Sequence, residues 1–493
     1  MPRLIFAGLA GAVFLSMSGM AWAQEPTRDP LQRLFPQSAF QISAGSDVMV
    51  EGVRRYEKVS LRGTTYDLAI GVISFSAYND GDFALEIDGM TVHPHDPKAP
   101  VTSINRLQLK IDDFPQYDQD VVCALSKVVE RLDLAGAEIQ FPVDAAERPD
   151  IFRLEGLAFQ REGTAGQNCW LEGLVALDRA RITQASGWGV GLEKMRLRTR
   201  LPLSIEAARG GAMDDAGILG AIGEIELSNT SEIPAFGVSD VSLESNFAPA
   251  SLAGAVHVAR SSRMLGGDMN TMLEAMQALN AVSLLKGWIG LEAPVTRIYS
   301  PGIVPKEAVT DFSRAGLTTI TGRSDLSMRF DAGAVGMTGK MFLNGIADLT
   351  LRADGFLTPY EKRKLELADR RIELGVHAIP AFALSSMTID YLDGGLEENA
   401  LDLTGVPLGR YISEMGTILV SEQSKSVQPA LAGALEQVSG FFRYAGQGYA
   451  MRLTLAPSVP VVVSDILMLA LTDLQGLTAA TGAALTKQSP SPP

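Results

Sequence analysis

The chain has few of the residues that most often do chemistry. Two cysteines and four histidines stand among 493 residues. Two cysteines exclude a disulfide-dense scaffold and a four-cysteine zinc site. Four histidines leave little material for an imidazole-rich metal centre. No G-x-S-x-G elbow, H-E-x-x-H helix, phosphate-binding loop or complete calcium loop occurs. No cofactor or metal is therefore expected, and an enzyme is not the expected reading. Aromatic residues are 7% of the chain. That is sparse for an outer-membrane barrel with aromatic girdles. Basic residues number 42 against 57 acidic ones, for a formal charge of −15. Such a surface repels nucleic acid, so no nucleic-acid partner is expected.

What is present begins at the N-terminus. Arg3 precedes an apolar run from Leu4 to Met20, and Ala21-Trp22-Ala23 supplies small side chains at −3 and −1 of a cleavage site. Residues 1–23 read as a secretory signal peptide, and the run falls short of the roughly 20 apolar residues of a membrane span. The expected location is periplasmic. In that oxidising compartment Cys123 and Cys169 have one intramolecular solution, a disulfide contributing about 4 kcal/mol in the chain-entropy model.

The dominant pattern is a recurring strand phrase. Apolar and polar residues alternate from Phe83 to Val92, Ile104 to Ile111, Leu132 to Phe141, Phe152 to Phe159 and Ile222 to Asn229. The phrase returns at Ser324 to Phe330, Met341 to Ala353 and Phe382 to Tyr391. Period-two alternation gives each strand one apolar and one polar face. Asn79-Asp80-Gly81-Asp82 predicts a hairpin turn. Crossover helices are scarce in the first half, so an antiparallel meander is expected.

Helical spacing interrupts the phrase at Asp118 to Arg131, Arg263 to Trp288, Leu408 to Leu419, Gln428 to Phe442 and Asp465 to Leu485. A helix is also predicted from Pro305 to Arg314. Thr358-Pro359-Tyr360-Glu361 has the cap, proline and glutamate of a helix start, predicting a helix to Leu374. The expected fold class is α+β and predominantly β, with extended curved antiparallel sheet and packing helices. The expected organisation is a β-rich region at 24–250, a helical insert or joint at 251–315, sheet plus helices at 316–485, and a disordered tail at 486–493.

Several constellations are candidate sites. His93-Pro94-His95-Asp96 offers two imidazoles and a carboxylate, but its prolines predict a solvated loop. Ser283 and Lys286 have the S-x-x-K spacing of penicillin-binding proteins, without the K-T-G strand that family needs. Gly187 to Gly191 predicts a tight turn. Asp390 to Gly395 has turn chemistry. Lys194, Arg196, Arg198 and Arg200 would share one strand face, where they could contact anionic groups of lipid or lipopolysaccharide. The alternative is a solvated face paired with acids such as Glu224 and Glu226. The segment from Val459 to Leu485 is the most apolar after the leader. It predicts a core helix, with peripheral membrane contact as the other reading.

The tandem alternating phrases behind a leader resemble the AsmA-like and YdgA-like families of bacterial envelope proteins. The phrase MTIDYLDGGLEENAL from Met387 to Leu401, and the stretch from Phe441 to Val461, resemble segments of proteobacterial envelope proteins. AsmA-like proteins usually keep an N-terminal anchor, whereas this N-terminus reads as cleavable. The resemblance implies an elongated sheet whose apolar inner face holds acyl chains, and it supplies no catalytic motif. The expected function is thus a non-enzymatic periplasmic protein that binds lipid or supports envelope assembly, with lipid or envelope proteins as partners. An envelope hydrolase using paired carboxylates is the alternative. An outer-membrane barrel comes third.

Overall fold

The computed structural model describes residues 29–35, 40–64, 66–77, 83–97, 99–112, 128–141, 150–162, 169–183, 188–210, 215–229, 233–253, 285–303, 317–358, 364–367, 370–373, 381–414, 438–442, 450–463 and 474–488, with Cys123, Ser126, Val256, Ser313 and Ile466. The chain divides into two compact units. The first is residues 1–232 with 248–274; the second is residues 233–247 with 275–493. Both are predominantly antiparallel β-sheet.

In the first unit the strands are β1 (Gln41–Ser43), β2 (Ser46–Val50), β3 (Val53–Arg62), β4 (Tyr66–Ala77), β5 (Phe83–Pro94) and β6 (Val101–Ile111). They continue as β7 (Val129–Phe141), β8 (Asp150–Arg161), β9 (Trp170–Thr183), β10 (Gly189–Pro202) and β11 (Ala216–Ser228). From β3 to β11 each strand pairs antiparallel with the next, so the unit is a meander. Both β1 and β2 pair with β3. Helix α1 (Pro30–Leu34) buries Leu31 and Leu34, and Phe35 follows with its ring 6.0 Å from Phe40. The Asp29 carboxylate accepts hydrogen bonds from the Leu31 N–H and the Tyr56 hydroxyl, tying the helix start to β3.

Every strand from β3 to β11 breaks its alternation at one aligned row, and β7 has a further irregularity at its start, opposite Lys110 and Ile111. Two buried rows flank the break. One runs Val59, Ile70, Met90, Ile104, Ala137, Leu154 and Ala180; the other runs Tyr56, Ile73, Ile87, Leu107, Leu134, Leu177, Met195 and Ile222, with the half-buried Leu157 between Leu134 and Leu177. Between them each strand has two consecutive residues. Examples are Glu57-Lys58, Asp88-Gly89, Asn105-Arg106, Ala135-Gly136, Asp178-Arg179 and Glu193-Lys194. The extra residue restores the apolar set to the same face beyond the break, as a β-bulge does. Lys58, Gly89, Gly136 and Lys194 take positive φ there. A Cβ on Gly136, at φ 72°, would lie 2.4 Å from Asn105 Nδ2. The result is a transverse crease across nine strands.

The second unit contains β12 (Pro234–Phe247), β13 (Lys286–Tyr299), β14 (Thr319–Asp331), β15 (Ala334–Leu343), β16 (Ala347–Thr358), the short hairpin β17 (Lys364–Leu367) and β18 (Arg370–Glu373), β19 (Ala381–Asp393), β20 (Ala450–Leu455), β21 (Val461–Val462) and β22 (Ala484–Gln488). Its sheet runs β12–β13–β14–β15–β16–β19–β20–β22, with β21 also on β19. Helices α2 (Ile205–Arg209) in the first unit, and α3 (Ser300–Ile303), α4 (Leu396–Thr404) and α5 (Leu474–Thr481) in the second, are short.

Several expectations are corrected. Region 251–315 is not wholly a helical joint: β13 occupies Lys286–Tyr299 within it. Pro294 is tolerated because it sits at a bulge between Ala293 and Thr296, where no ladder N–H is needed. Val129 opens β7 instead of ending a helix. The phrase from Met341 to Ala353 is two strands, divided at Asn344-Gly345, with Gly345 at φ 68°. Thr358 ends β16, paired with Ala381, and residues 364–367 and 370–373 form a hairpin in place of the predicted helix. Ladder pairing on β16 overrides the local cap signal. Leu485 lies in β22, which extends to Gln488, so the tail cannot begin at 486. Position 408–414 is helical, as is 438–442. The predicted turn at 79–82 lies outside the described residues, but Ala77 pairs with Phe83 across its ends. Of the helix predicted from Arg263 to Trp288, Lys286 to Trp288 belong to β13 and residues 263–284 lie outside the described residues; of that predicted from Pro305 to Arg314 only Ser313 is described, and the leader lies outside as well.

Candidate functional site: a half-covered apolar sheet face

The inward face of the second unit differs from a dry core. One row crosses all eight of its main strands: Leu243, Leu291, Leu326, Gly339, Leu351, Ile389, Leu453 and Leu485. Every member is only half-buried. The next row holds Ile289, Met328, Met337, Ala353, Met387 and Leu455, of which only Ala353 and Leu455 are buried. The sheet forms because β14 alternates strictly: Thr321, Arg323, Asp325, Ser327 and Arg329 are exposed, and the residues between them face inward. Methionines at 328, 337 and 341 give this face a soft, adaptable lining.

Packed clusters close the ends of this surface. At one end Leu343, Ile346 and Ala347 pack with Ile298, Ile320 and Tyr391. At the other, Ala353, Leu384 and Leu455 pack with Met337, Phe382 and Met387. Phe441 and Phe442 stack edge-on against Tyr391 at 5.7 and 5.9 Å. The Tyr391 hydroxyl donates to Asp393 Oδ1, 2.9 Å away, and that oxygen also accepts the Leu396 N–H at the start of α4. Asp390 to Asp393 thus end β19, which corrects the turn expected from Asp390 onward: only Gly394-Gly395 lie between the strand and α4, whose start Asp393 caps. Arg452 forks onto Asp390 across β19 and β20 at 2.5 and 2.9 Å.

Beside α4 lies an open depression of about 450 Å³ lined by Glu397, Pro407, Gly409, Arg410, Ser413 and Glu414. Burial pushes the Glu397 carboxyl above its ordinary range; N–H groups of Leu408 and Gly409 pull it down, and Asp393 pushes it up again. Its Oε2 is buried without a hydrogen-bond partner. Arg410 is engaged by Glu414 at 2.7 Å. Burial and Asp393 raise the Tyr391 phenol as well. The depression therefore combines a hard-to-ionise acid with an internally neutralised ion pair.

The four cations of β10 do share the exposed face, with Met195, Leu197 and Thr199 buried opposite. Arg198 forks onto Glu162 and Arg200 bonds Asp215, both within 2.9 Å. The acids that Arg198 and Arg200 reach are Glu162 and Asp215, with Glu172 3.7 Å from Arg200. Lys194 stands at the crease with φ 53°, and neither it nor Arg196 has an ion-pair partner among the described residues. Cys123 and Cys169 lie at disulfide distance, with Cα atoms 5.0 Å apart. His93 and Pro94 end β5, so the loop begins at His95, which bonds Asp67 at 3.1 Å. Among the described residues no three His, Cys, Asp or Glu side chains gather as a metal-ligating group. Lys286 opens β13, so the S-x-x-K spacing does not lie on one helix.

Sequence reasoning missed the crease and the half-covered row. The signal for the crease was the paired polar or glycine residues inside otherwise alternating phrases, such as Asp88-Gly89. The row had a weaker signal in the glycines, serine and methionines at inward positions of β14 and β15. No helix among the described residues is long and apolar enough to cross a membrane. No family model matches the chain, and no curated protein matches it.

Proposed function

We propose that the protein is an exported, non-enzymatic component of the cell envelope that binds lipid acyl chains on the apolar face of β13–β16 and β19. In this reading the sheet curves around the chains, and the short helices flank it as the α part of an α+β fold. The supporting observation is the row of half-buried residues, seven aliphatic and one glycine, that crosses eight strands. Apolar ligands need area and shape more than a reactive group. Flexible methionines adapt to chains of varied length and unsaturation. Export supplies the compartment, and the cysteine pair is compatible with it.

The test is lipid extraction and mass spectrometry of protein purified from its envelope without detergent. Phospholipid near one per chain is expected, and Leu326→Asp should lower it by about tenfold while leaving the fold intact. Lipid-free protein that also fails to take up a fluorescent fatty acid would end the proposal.

A further inference from the structure

A second interaction surface lies at the edge of the first unit. Strand β2 pairs with β3 alone among the described residues. Val48, Met49 and Val50 are 43, 66 and 55% exposed, an unusual run of three for consecutive strand residues. Natural edge strands are guarded by lysine, proline or inward-pointing charge. Here the one charged residue, Asp47, is held by Arg54 at 2.8 Å. Glu51 and Gly52, at φ 51° and 81°, close a two-residue turn of the primed type. In such a hairpin the closing pair, Val50 and Val53, exchanges both hydrogen bonds, and the alternation continues at Val48 and Arg55. The N–H and C=O groups of Asp47 and Met49 therefore point away from β3.

We infer that β2 is a homotypic docking strand, pairing antiparallel with β2 of a second copy about a two-fold axis at Val48. The geometry is self-complementary. A two-fold at Val48 sets Asp47 opposite Met49 of the other copy, twice, and these are the residues with outward backbone groups. Four hydrogen bonds result. Val48 meets its own copy as a non-hydrogen-bonded pair, with Cα atoms about 4.5 Å apart. No like charges oppose one another, because each Asp47 faces a methionine and is already neutralised by Arg54. Such short strands bury less than a standard interface, so the pairing is weak and reversible.

Val48→Cys in the full chain tests this. At that spacing a disulfide bridges the copies without backbone movement. In glutathione buffer, about tenfold more covalent dimer is expected than from Leu219→Cys, because docking raises the effective concentration. Leu219, at 55%, is more exposed than Val48, so access does not favour position 48. Adding Met49→Pro removes an outward N–H and no bond to β3, so it should abolish the excess. Should that variant lose its strand circular dichroism, Met49→Lys carries the same expectation. Dimer no greater than in the Leu219→Cys control, or dimer unchanged by both position-49 variants in folded protein, would overturn the inference.

Discussion

The two units use one grammar to different ends. In the first, Ile73, Ile87, Leu107, Leu134 and Leu177 are no more than 2% exposed. In the second, Leu291, Leu326, Leu351 and Ile389 occupy equivalent inward positions on central strands and remain half-exposed. Both sets alternate with polar residues at period two. The difference lies in the inward side chains. The first unit fills its rows mainly with isoleucine and leucine, whereas β14 and β15 place Gly322, Ser324 and Gly339 among the inward residues. Alternation specifies which way a side chain points. Whether anything covers it depends on volume and on elements elsewhere in the chain.

The sharpest test of that contrast is a matched pair of truncations. Ile87→Ala should cost about 3–4 kcal/mol, because it opens a cavity in a closed core. Leu326→Ala should cost about 1 kcal/mol, since a half-exposed side chain loses less burial. Chemical denaturation followed unit by unit reads both, and equal costs would erase the distinction. Next in size is Gly136→Val, expected to lose about 2–3 kcal/mol from its positive φ and the contact with Asn105. A loss confined to the second unit's transition would contradict the placement of the crease.

Smaller effects come from pH. The Arg153 guanidinium, then Gln140, hold the Glu138 carboxyl below its ordinary value of 4.5. That contribution is present above pH 4.5 and is lost as pH falls through the depressed value. Arg153→Ala should therefore weaken the first unit by about 0.5 kcal/mol at pH 7, a partly exposed pair being screened by solvent. Below the depressed value of Glu138 the variant and the parent should unfold alike. In the second unit Glu397 is shifted the other way, so the folded state binds the proton more tightly. Its penalty is absent below pH 4.5 and grows as pH rises through the raised value. Glu397→Gln should stabilise the second unit at pH 8 by under about 1 kcal/mol and change nothing at pH 4. Thermal melts at the two pH values check this, and a stabilisation at pH 4 would count against burial as the cause.

Much of the sheet was legible because period-two alternation is strong evidence for a half-buried strand. Phe83 to Val92 and Phe382 to Tyr391 fall inside β5 and β19. The failures share a cause. Residues Lys286 to Tyr299 mix Gly287, Gly290 and Pro294 into an apolar stretch, so strand pairing across β12 and β14 decides what local composition does not. Thr358 has every mark of a cap and still ends a strand, because its ladder partner Ala381 lies far along the chain. The candidate site was less legible still. The one-sided strands announced an apolar face, but the incomplete cover over Leu326 and Leu351 exists only once eight strands are aligned. The basic face of β10 was legible, and its ion-pair partners were not, since Glu162 and Asp215 sit just outside the alternating residues of β8 and β11.

A purely alternating strand has a hidden ambiguity. Sliding it by one residue exposes its apolar side, but sliding it by two leaves both faces unchanged. The crease removes that freedom. A two-residue slip of β5 would carry Asp88 into the buried row and leave Gly89 opposite a partner without its matching step. Nine strands that each hold the same step in line act as a vernier, and only one alignment closes it. A long meander, with many near-equivalent ways to misassemble, thereby has a single register from its first hairpin to its last.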